Sequence, residues 1–366
     1  MPEAFSILIP TYNERENIEP LLTRIVAALP GRDYEVLFVD DDSKDGTAEL
    51  INRLSAKYPA RVEVRKNKKG LASAVIDGFG WAKHDTILVM DADLQHPPEV
   101  IPSVITAIDE GADIAVASRR VPGGGTNGWS TFRKITSDGA IMLAHLFLPS
   151  SRRVKDPMSG FFAFRRRVIE GVTLAPIGYK ILLEMLVTGK AKNVREVPFM
   201  FVPREKGKSK LSIKQEIEYA QHLLSLMRRN GVITHFFKFC LVGASGVIVN
   251  NGMLWLLHDQ GKANWDIRLA LLIAIEISIV SNYLLNNYFT FADRHKPGLK
   301  HFLANFLRFN LFSLPGAALN WVTTVMLTNT GNLSYLVFNM VGIAAAMMWN
   351  FFANSRWTWK KLNTGD

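Results

Sequence analysis

Two textures of apolar residues alternate along the first third of the chain. The runs Phe5-Ser6-Ile7-Leu8-Ile9-Pro10, Glu35 to Asp40 and Thr86 to Met90 are short and rich in β-branched and aromatic residues, which predicts buried strands, with a further extended piece at Val62 to Arg65. Between them, Glu19 to Leu29, Thr47 to Tyr58 and Leu71 to Trp81 carry apolar residues at helical spacing. Such βα alternation predicts an α/β domain with a mostly parallel central sheet, whose ligand lies beyond the carboxyl ends of the strands.

After about residue 230 the pattern changes to long apolar stretches, near 236–257, 269–291, 302–327 and 335–353. Each is close to the roughly 20 residues a helix needs to cross a bilayer, so an all-α transmembrane domain of four helices is expected over 233–366. The stretch repeats itself. Lys238-Phe239-Cys240-Leu241, Gly246 and Asn250 align with Arg308-Phe309-Asn310-Leu311, Gly316 and Asn320, while Asn282 and 286–291 align with Asn350 and 354–359. Two helical hairpins of the same topology follow from that duplication. Residues 293–300 and 356–361 are basic and 328–334 carry no charge, so both chain ends are expected on the cytoplasmic side. Glu276 is the single acid within the second span and is read as a helix-interface carboxyl rather than a catalytic one.

Charge sharpens the division. The chain has 366 residues and a formal net charge of +10, but residues 1–114 carry 12 basic against 20 acidic side chains and residues 115–230 carry 21 against 8. An acidic part, a basic part and an apolar tail suggest separate tasks, and basic runs beside apolar segments are what anionic membranes attract. The single cysteine, Cys240, excludes an internal disulfide framework. The first twenty residues lack a basic flank and a long apolar core, so no secretory signal is read there and the catalytic domain is expected in the cytoplasm.

Polar residues gather where the strands end. Pro10-Thr11-Tyr12-Asn13-Glu14 follows the first, Asp40-Asp41-Asp42-Ser43 the second, and Asp91-Ala92-Asp93-Leu94-Gln95 the strand at 86–90. Acids after a strand often cap the next helix, but three such clusters at one sheet edge indicate a site. Two carboxylates and an amide oxygen are hard ligands suited to Mg²⁺ or Mn²⁺, with Asp93 and Gln95 as the expected metal ligands. An ion there suits a reaction in which a diphosphate departs. There is no P-loop and no GxGxxG after the first strand, which disfavours ATP-type and dinucleotide sites.

Taken with Lys69-Gly70-Leu71, His96-Pro97-Pro98, Ser159-Gly160-Phe161 and Arg204 to Leu211, these stretches resemble the family-2 glycosyltransferases of A-type fold, specifically the polyprenol-phosphate (dolichol-phosphate) mannose synthases. The resemblance spans about residues 5–215, and the tail resembles the four-helix membrane domain found with some of these enzymes. It implies a catalytic domain over 1–211, an interfacial helix or linker over 212–232 and the membrane domain beyond. It also implies that Pro10, Tyr12, Glu14, Val39, Asp41 and Lys69 hold the nucleotide, that Asp91, Ala92, Asp93 and Gln95 surround metal, diphosphate and sugar, and that Arg119, Lys180, Arg204 and Lys210 lie near phosphates. The implied partners are GDP-mannose, a polyprenyl or dolichyl phosphate and the bilayer, with no nucleic acid. The alternative donor is a UDP-linked glucose or amino sugar.

The chemistry agrees with that likeness. A lipid phosphate is ionised at neutral pH, its second pKa being about 6, so it attacks without a general base. Such a site needs cations, and the basic segment supplies Arg119, Arg120, Arg133 and Lys134. Residues 130–137 read as a helix start on which Ser137 falls four residues after Arg133, so both are expected at the acceptor phosphate. Arg152-Arg153 and Arg165-Arg166-Arg167 are expected to be solvated or at lipid headgroups, and Gly123 to Gly128 to be a mobile flap or a linker. Residues 213–227 have apolar positions at 213, 217, 220, 224 and 227, a pattern for a helix lying on the bilayer or packing on the domain. A processive synthase would need a Gln-x-x-Arg-Trp motif before the first span, and none occurs. A scaffold or flippase with a dead site is disfavoured by the intact metal-site residues.

Overall fold

The computed structural model describes residues 3–67, 70–202, 213–259, 265–295, 297–330 and 335–359. They form two compact units, Met1–Met227 and Arg228–Asp366.

In the first unit the predicted alternation is present: β1 (Phe5–Thr11), α1 (Arg15–Ala28), β2 (Tyr34–Asp40), α2 (Thr47–Leu54), β3 (Ala60–Val64), α3 (Leu71–Trp81), β4 (Thr86–Val89), α4 (Ile101–Asp109) and β5 (Ile114–Ser118). Then come β6 (Gly125–Thr126), α5 (Thr131–Phe147), β7 (Phe162–Arg165), α6 (Ile181–Thr188), β8 (Val194–Pro198), β9 (Met200–Phe201) and α7 (Ile213–Arg229). The main sheet runs β3-β2-β1-β4-β7-β5-β8. β7 is antiparallel to both its neighbours and every other pairing is parallel. This is the A-type α/β architecture expected from the sequence.

Strand periodicity decides which residue meets which helix layer. Along β1, Phe5, Ile7 and Ile9 face a core with Ile18, Leu21 and Ile25 of α1 and Val104 and Ile108 of α4. Leu8, between them, packs on the opposite side with Val75 and Phe79 of α3 and Leu182 of α6. A sheet covered on both faces fixes its strand ends, and the site is built on those ends.

Two expectations fail here for one reason: unsatisfied backbone groups attract nearby partners. The arginine runs are not simply solvated. Arg166 donates to the carbonyls of Phe79, Ala82 and His84, Arg153 to those of Ala191 and Lys192, and Arg152 to those of His145 and Leu146. Arg165 pairs with Glu3 and Arg167 with Asp113. Guanidinium forks thus satisfy carbonyls at the ends of α3 and α5. The glycine-rich segment is not a free flap either, because β6 pairs in parallel with β9, Gly125 N donating to Phe199 O (3.1 Å) and Asn127 N to Phe201 O (2.9 Å). A β-carbon on Gly124 would run into the Ser118 carbonyl, so only glycine fits that close approach.

The second unit contains α8 (Val232–Leu254), α9 (Ile267–Leu285), α10 (Leu299–Thr330) and α11 (Tyr335–Ala353). The sequence repeat is also a contact repeat. Gly246 of α8 lies against the Asn282 amide of α9, and Gly316 of α10 against the Asn350 amide of α11. Wide π-turns follow at Asn286–Thr290 and Asn354–Thr358. They bring Phe291 and Trp359 into a stack at 4.7 Å, with Trp359 Nε1 donating to Asn287 Oδ1 (2.9 Å). Among the described residues, Val232–Leu257 is the helix long and apolar enough to cross a membrane. Glu276 is exposed on the surface of α9.

Candidate active site

A cavity of about 900 Å³ opens at the carboxyl ends of β1, β2 and β4, entirely within the first unit. Because β7 is antiparallel, its entry segment Ser159-Gly160 reaches the same rim and lines the cavity too. Pro10, Tyr12, Glu14, Asp41, Asp91, Ala92, Asp93, Gln95, Arg119, Arg133, Ser137 and Lys180 all contribute to this one chamber. Val39 does not: its side chain is fully buried in the core against α3. Lys69, Arg204 and Lys210 lie outside the described residues.

The acidic end is held by backbone. Asp93 Oδ1 accepts from Gln95 N (3.1 Å), and the Gln95 amide nitrogen donates to Val202 O (3.3 Å). Leu94, between them, has φ 61°, a left-handed conformation that is strained for a leucine. His96 stacks on Phe161 at 5.2 Å and meets Phe199 and Phe201 edge-on. Its Nδ1 accepts from Asp91 N (3.0 Å), and burial pushes its pKa down to about 4, so it is a neutral prop for Asp91. Among the described residues no three His, Cys, Asp or Glu side chains converge as metal ligands. Asp91, Asp93 and Gln95 fit a hard divalent ion that completes its shell with phosphate and water, rather than one caged by protein alone.

The same cavity also has a cationic and aromatic part of its lining. Arg119 Nε and Nη2 donate to Asp156 at 2.7 and 2.8 Å, and Arg119 N donates to the same carboxylate at 3.1 Å. Burial alone would raise the Asp156 pKa, but the Arg119 guanidinium holds it below the usual carboxylate range. Trp129 lies beside both arginines, with the Arg119 and Arg133 guanidinium carbons 5.2 and 4.2 Å from its ring centre. Ser137 Oγ accepts from Arg120 Nη2 (3.1 Å), which leaves its hydroxyl proton available to an anion. Lys180 Nζ donates to Met158 O (3.2 Å) and lies 4.2 Å from the Tyr179 ring. Burial, reinforced by the Arg119 charge, pushes the Lys180 pKa down to about 7.

Helices α5 and α7 close this end. Ser130 caps α5 by accepting from Arg133 N (3.3 Å). The α5 face bearing Arg133, Thr136, Ser137 and Ala140 lines the cavity, whereas Phe132 (80% exposed), Ile135 and Met142 project from the protein. α7 packs through Tyr219, Leu223 and Leu226, and Tyr219 donates to Ala140 O (2.6 Å). The face predicted from the sequence, with Ile217, Ala220 and Leu224, is the exposed one. Of the two readings weighed from its pattern, packing on the domain is present, and an apolar face of the helix is left exposed.

Asp156, Trp129, Tyr179, Gly160 and the α7 residues Glu216, Glu218 and Tyr219 were not singled out as site residues from the sequence. Asp156 had one signal, its place in Lys155-Asp156-Pro157-Met158 immediately before Ser159-Gly160.

Residues 6–173 match the family described as glycosyl transferase family 2, and residues 238–359 match the GtrA/DPMS transmembrane domain. A dolichol-phosphate mannosyltransferase of Pyrococcus furiosus is 47% identical over 97% of this chain and 99% of its own length. The Saccharomyces cerevisiae protein of the same name is 37% identical over 67% of this chain and 91% of its own. Among solved structures, the glucosyl-3-phosphoglycerate synthase of Mycobacterium tuberculosis, in complex with Mn²⁺, UDP and glucosyl-3-phosphoglycerate, superposes with a TM-score of 0.49 at 19% identity, covering 63% of this chain and 80% of that one.

Proposed function

The chain belongs to the dolichol-phosphate mannosyltransferase family, and from that premise we propose that it transfers mannose, with inversion, from GDP-mannose to a polyprenyl or dolichyl phosphate. The observation that carries this reading is one cavity lined by both carboxylates, Asp91 and Asp93, and cations, Arg119, Arg133 and Lys180. Two anionic reactants, a sugar diphosphate and a phosphate monoester, need that combination.

The Asp41 end takes the nucleoside, and Asp91 orients the donor sugar. Asp93 and Gln95 hold a Mg²⁺ or Mn²⁺ ion, which when bound supplies charge compensation for the departing diphosphate. Arg119, fixed by Asp156, and Lys180 bind diphosphate oxygens, while Arg133 and Ser137 receive the acceptor phosphate. No general base is required for an acceptor that is already ionised. The histidine in the cavity agrees: His96 has its Nδ1 committed to the Asp91 amide. The apolar exposed face of α5, directly behind Arg133, suits an acceptor whose phosphate is attached to a lipid. The catalytic domain and both termini lie in the cytoplasm, with the helical unit crossing the membrane several times.

A donor screen tests the proposal. The full-length enzyme, given Mn²⁺ and a polyprenyl phosphate, is expected to transfer from GDP-mannose and to yield the β-linked product. Preferential transfer from UDP-glucose or another uridine donor would overturn the assignment of base and sugar.

A further inference from the structure

Behind the nucleoside end of the cavity lies a buried arginine that none of the site assignments uses. Arg65 follows β3, and its side chain is 1% exposed. Its Nε is 2.9 Å from Asp41 Oδ1, its Nη1 is 3.4 Å from Asp77 Oδ2 on α3, and its Nη2 donates to Ser73 Oγ at 2.9 Å. Asp41 Oδ2 accepts from Gly70 N at 2.8 Å, and Gly70 has φ 129°, a conformation that L side chains rarely adopt. A guanidinium is costly to bury, and here it faces two carboxylates.

Hydrogen bonding adds a second observation. Asp41 Oδ1 and Arg65 Nε are close enough for an ion pair, but their geometry is not that of a hydrogen bond. Among the described residues both atoms are buried without a hydrogen-bond partner. Oδ1 is thus turned to the Arg65 charge, while Asp41 as a residue lines the cavity, where a ligand N–H can reach the rest of its carboxylate.

We propose that Arg65 is a positioning residue for base selection: it keeps the Asp41 carboxylate ionised and turned toward the cavity, so that a base edge with adjacent N–H donors, as in guanine, is preferred over one with a single N–H, as in uracil. This rests on the reading of Asp41 as the base contact. A carboxylate held at one oxygen by a charge and at the other by an amide keeps its remaining lone pairs for the ligand, and while ionised it only accepts. The groups facing it among the described residues are Arg65 from β3, Asp77 from α3 and Asp40 from β2. Burial raises the Asp41 pKa, and Arg65 opposes that rise while Asp40 and Asp77 add to it. Removing Arg65 therefore raises the pKa further. Protonation of Asp41 converts an acceptor into a donor and repels the base N–H.

The test is titration of GDP and UDP into the full-length enzyme between about pH 6 and pH 8, with the melting temperature and kcat at saturating donor measured alongside. Arg65→Gln should weaken GDP binding by about tenfold near neutrality, with the loss growing as pH falls and UDP affected less. Arg65→Lys should restore part of the GDP affinity by returning the charge. Asp77→Asn should have the opposite sign, keeping GDP binding intact to lower pH. GDP binding by Arg65→Gln that stays at the wild-type level overturns the inference. So does an equal loss of GDP and UDP accompanied by a fall in melting temperature and kcat, which is the mark of a merely structural arginine. Asp41→Asn separates the two levels. If it leaves GDP binding unchanged, the base assignment has failed; if it weakens GDP binding while Arg65→Gln does not, the role of Arg65 alone has failed.

Discussion

The two ends of the cavity are built by different means. At the proposed donor end, Asp41, Asp91, Asp93 and Gln95 stand on residues that closely follow β2 and β4, and backbone groups of Gly70, Gln95 and Asp91 take part in fixing them. At the proposed acceptor end, Arg133 and Ser137 stand on α5 and depend on side-chain contacts: the face of Trp129, the Arg120 guanidinium, and helices packed on one another. A sheet-borne end presents a nearly fixed template, which suits a nucleotide sugar of constant shape. A helix-borne end can adjust, which suits a phosphate on a long and variable lipid. Damage should therefore be all-or-none at one end and graded at the other.

The strongest test of that contrast is Asp93→Ala. Losing a ligand at the strand lip should remove several kcal/mol of charge stabilisation, about a thousandfold in kcat, and abolish Mn²⁺-dependent GDP binding by calorimetry. Metal-dependent binding that persists would refute Asp93 as the ligand. Next in size is Asp156→Asn, which breaks a buried pair whose side chains are 0% and 9% exposed. Such a break typically costs about 3–5 kcal/mol, so thermal melting should shift down with transfer reduced at the same time. The sign with pH follows from the depressed Asp156 pKa: its contribution is present above the unfolded value of about 4 and is lost as pH falls through the lower folded value. The wild type should lose this stabilisation on acidification, and the variant should have none of it to lose.

Arg133→Ala probes the adjustable end and should have a graded effect. The apparent KM for lipid phosphate should rise by about tenfold, roughly one charge-assisted hydrogen bond, while GDP affinity stays within about twofold. Lost donor affinity with an unchanged acceptor dependence would move Arg133 to the other end of the map. The smallest expected signal is a proton. Lys180, with its pKa near 7, is mostly neutral at about pH 8 in the free enzyme and should be charged beside a bound diphosphate. Calorimetry in buffers of different ionisation enthalpy should then show up to about one proton taken up per GDP at that pH, and Lys180→Met should abolish the uptake.

The same division governs what could be read from the chain. β1, β2, β4 and the acids after them were legible because a buried parallel strand is a continuous apolar run and the site begins where that run ends. Asp156 was not, since its meaning comes from Arg119, 37 residues earlier, and no local periodicity records a pairing across a sheet. Trp129 was hidden by the glycines before it, which suggested freedom where β6 supplies a pairing. For α7 the pattern showed the outward face clearly, while the inward one is made of Tyr219, His222, Leu223 and Leu226, of which His222 breaks the apolar stripe. The arginine runs were misread because Arg152, Arg153 and Arg166 donate to backbone carbonyls, which leave no mark in a sequence, and Arg165 and Arg167 pair with acids far away along the chain.

The position of α7 has a consequence for how the enzyme is made. The cavity wall runs from Pro10 to Tyr219, so its last stone is laid by α7, and the membrane-length helix found among the described residues starts only thirteen residues later at Val232. At a synthesis rate of about 5–20 residues per second, those two events are separated by about one to three seconds. A growing chain therefore has no extended period in which a finished catalyst is free of its membrane segment. The order of the segments makes delivery to the bilayer and completion of the site nearly the same moment in the life of the molecule.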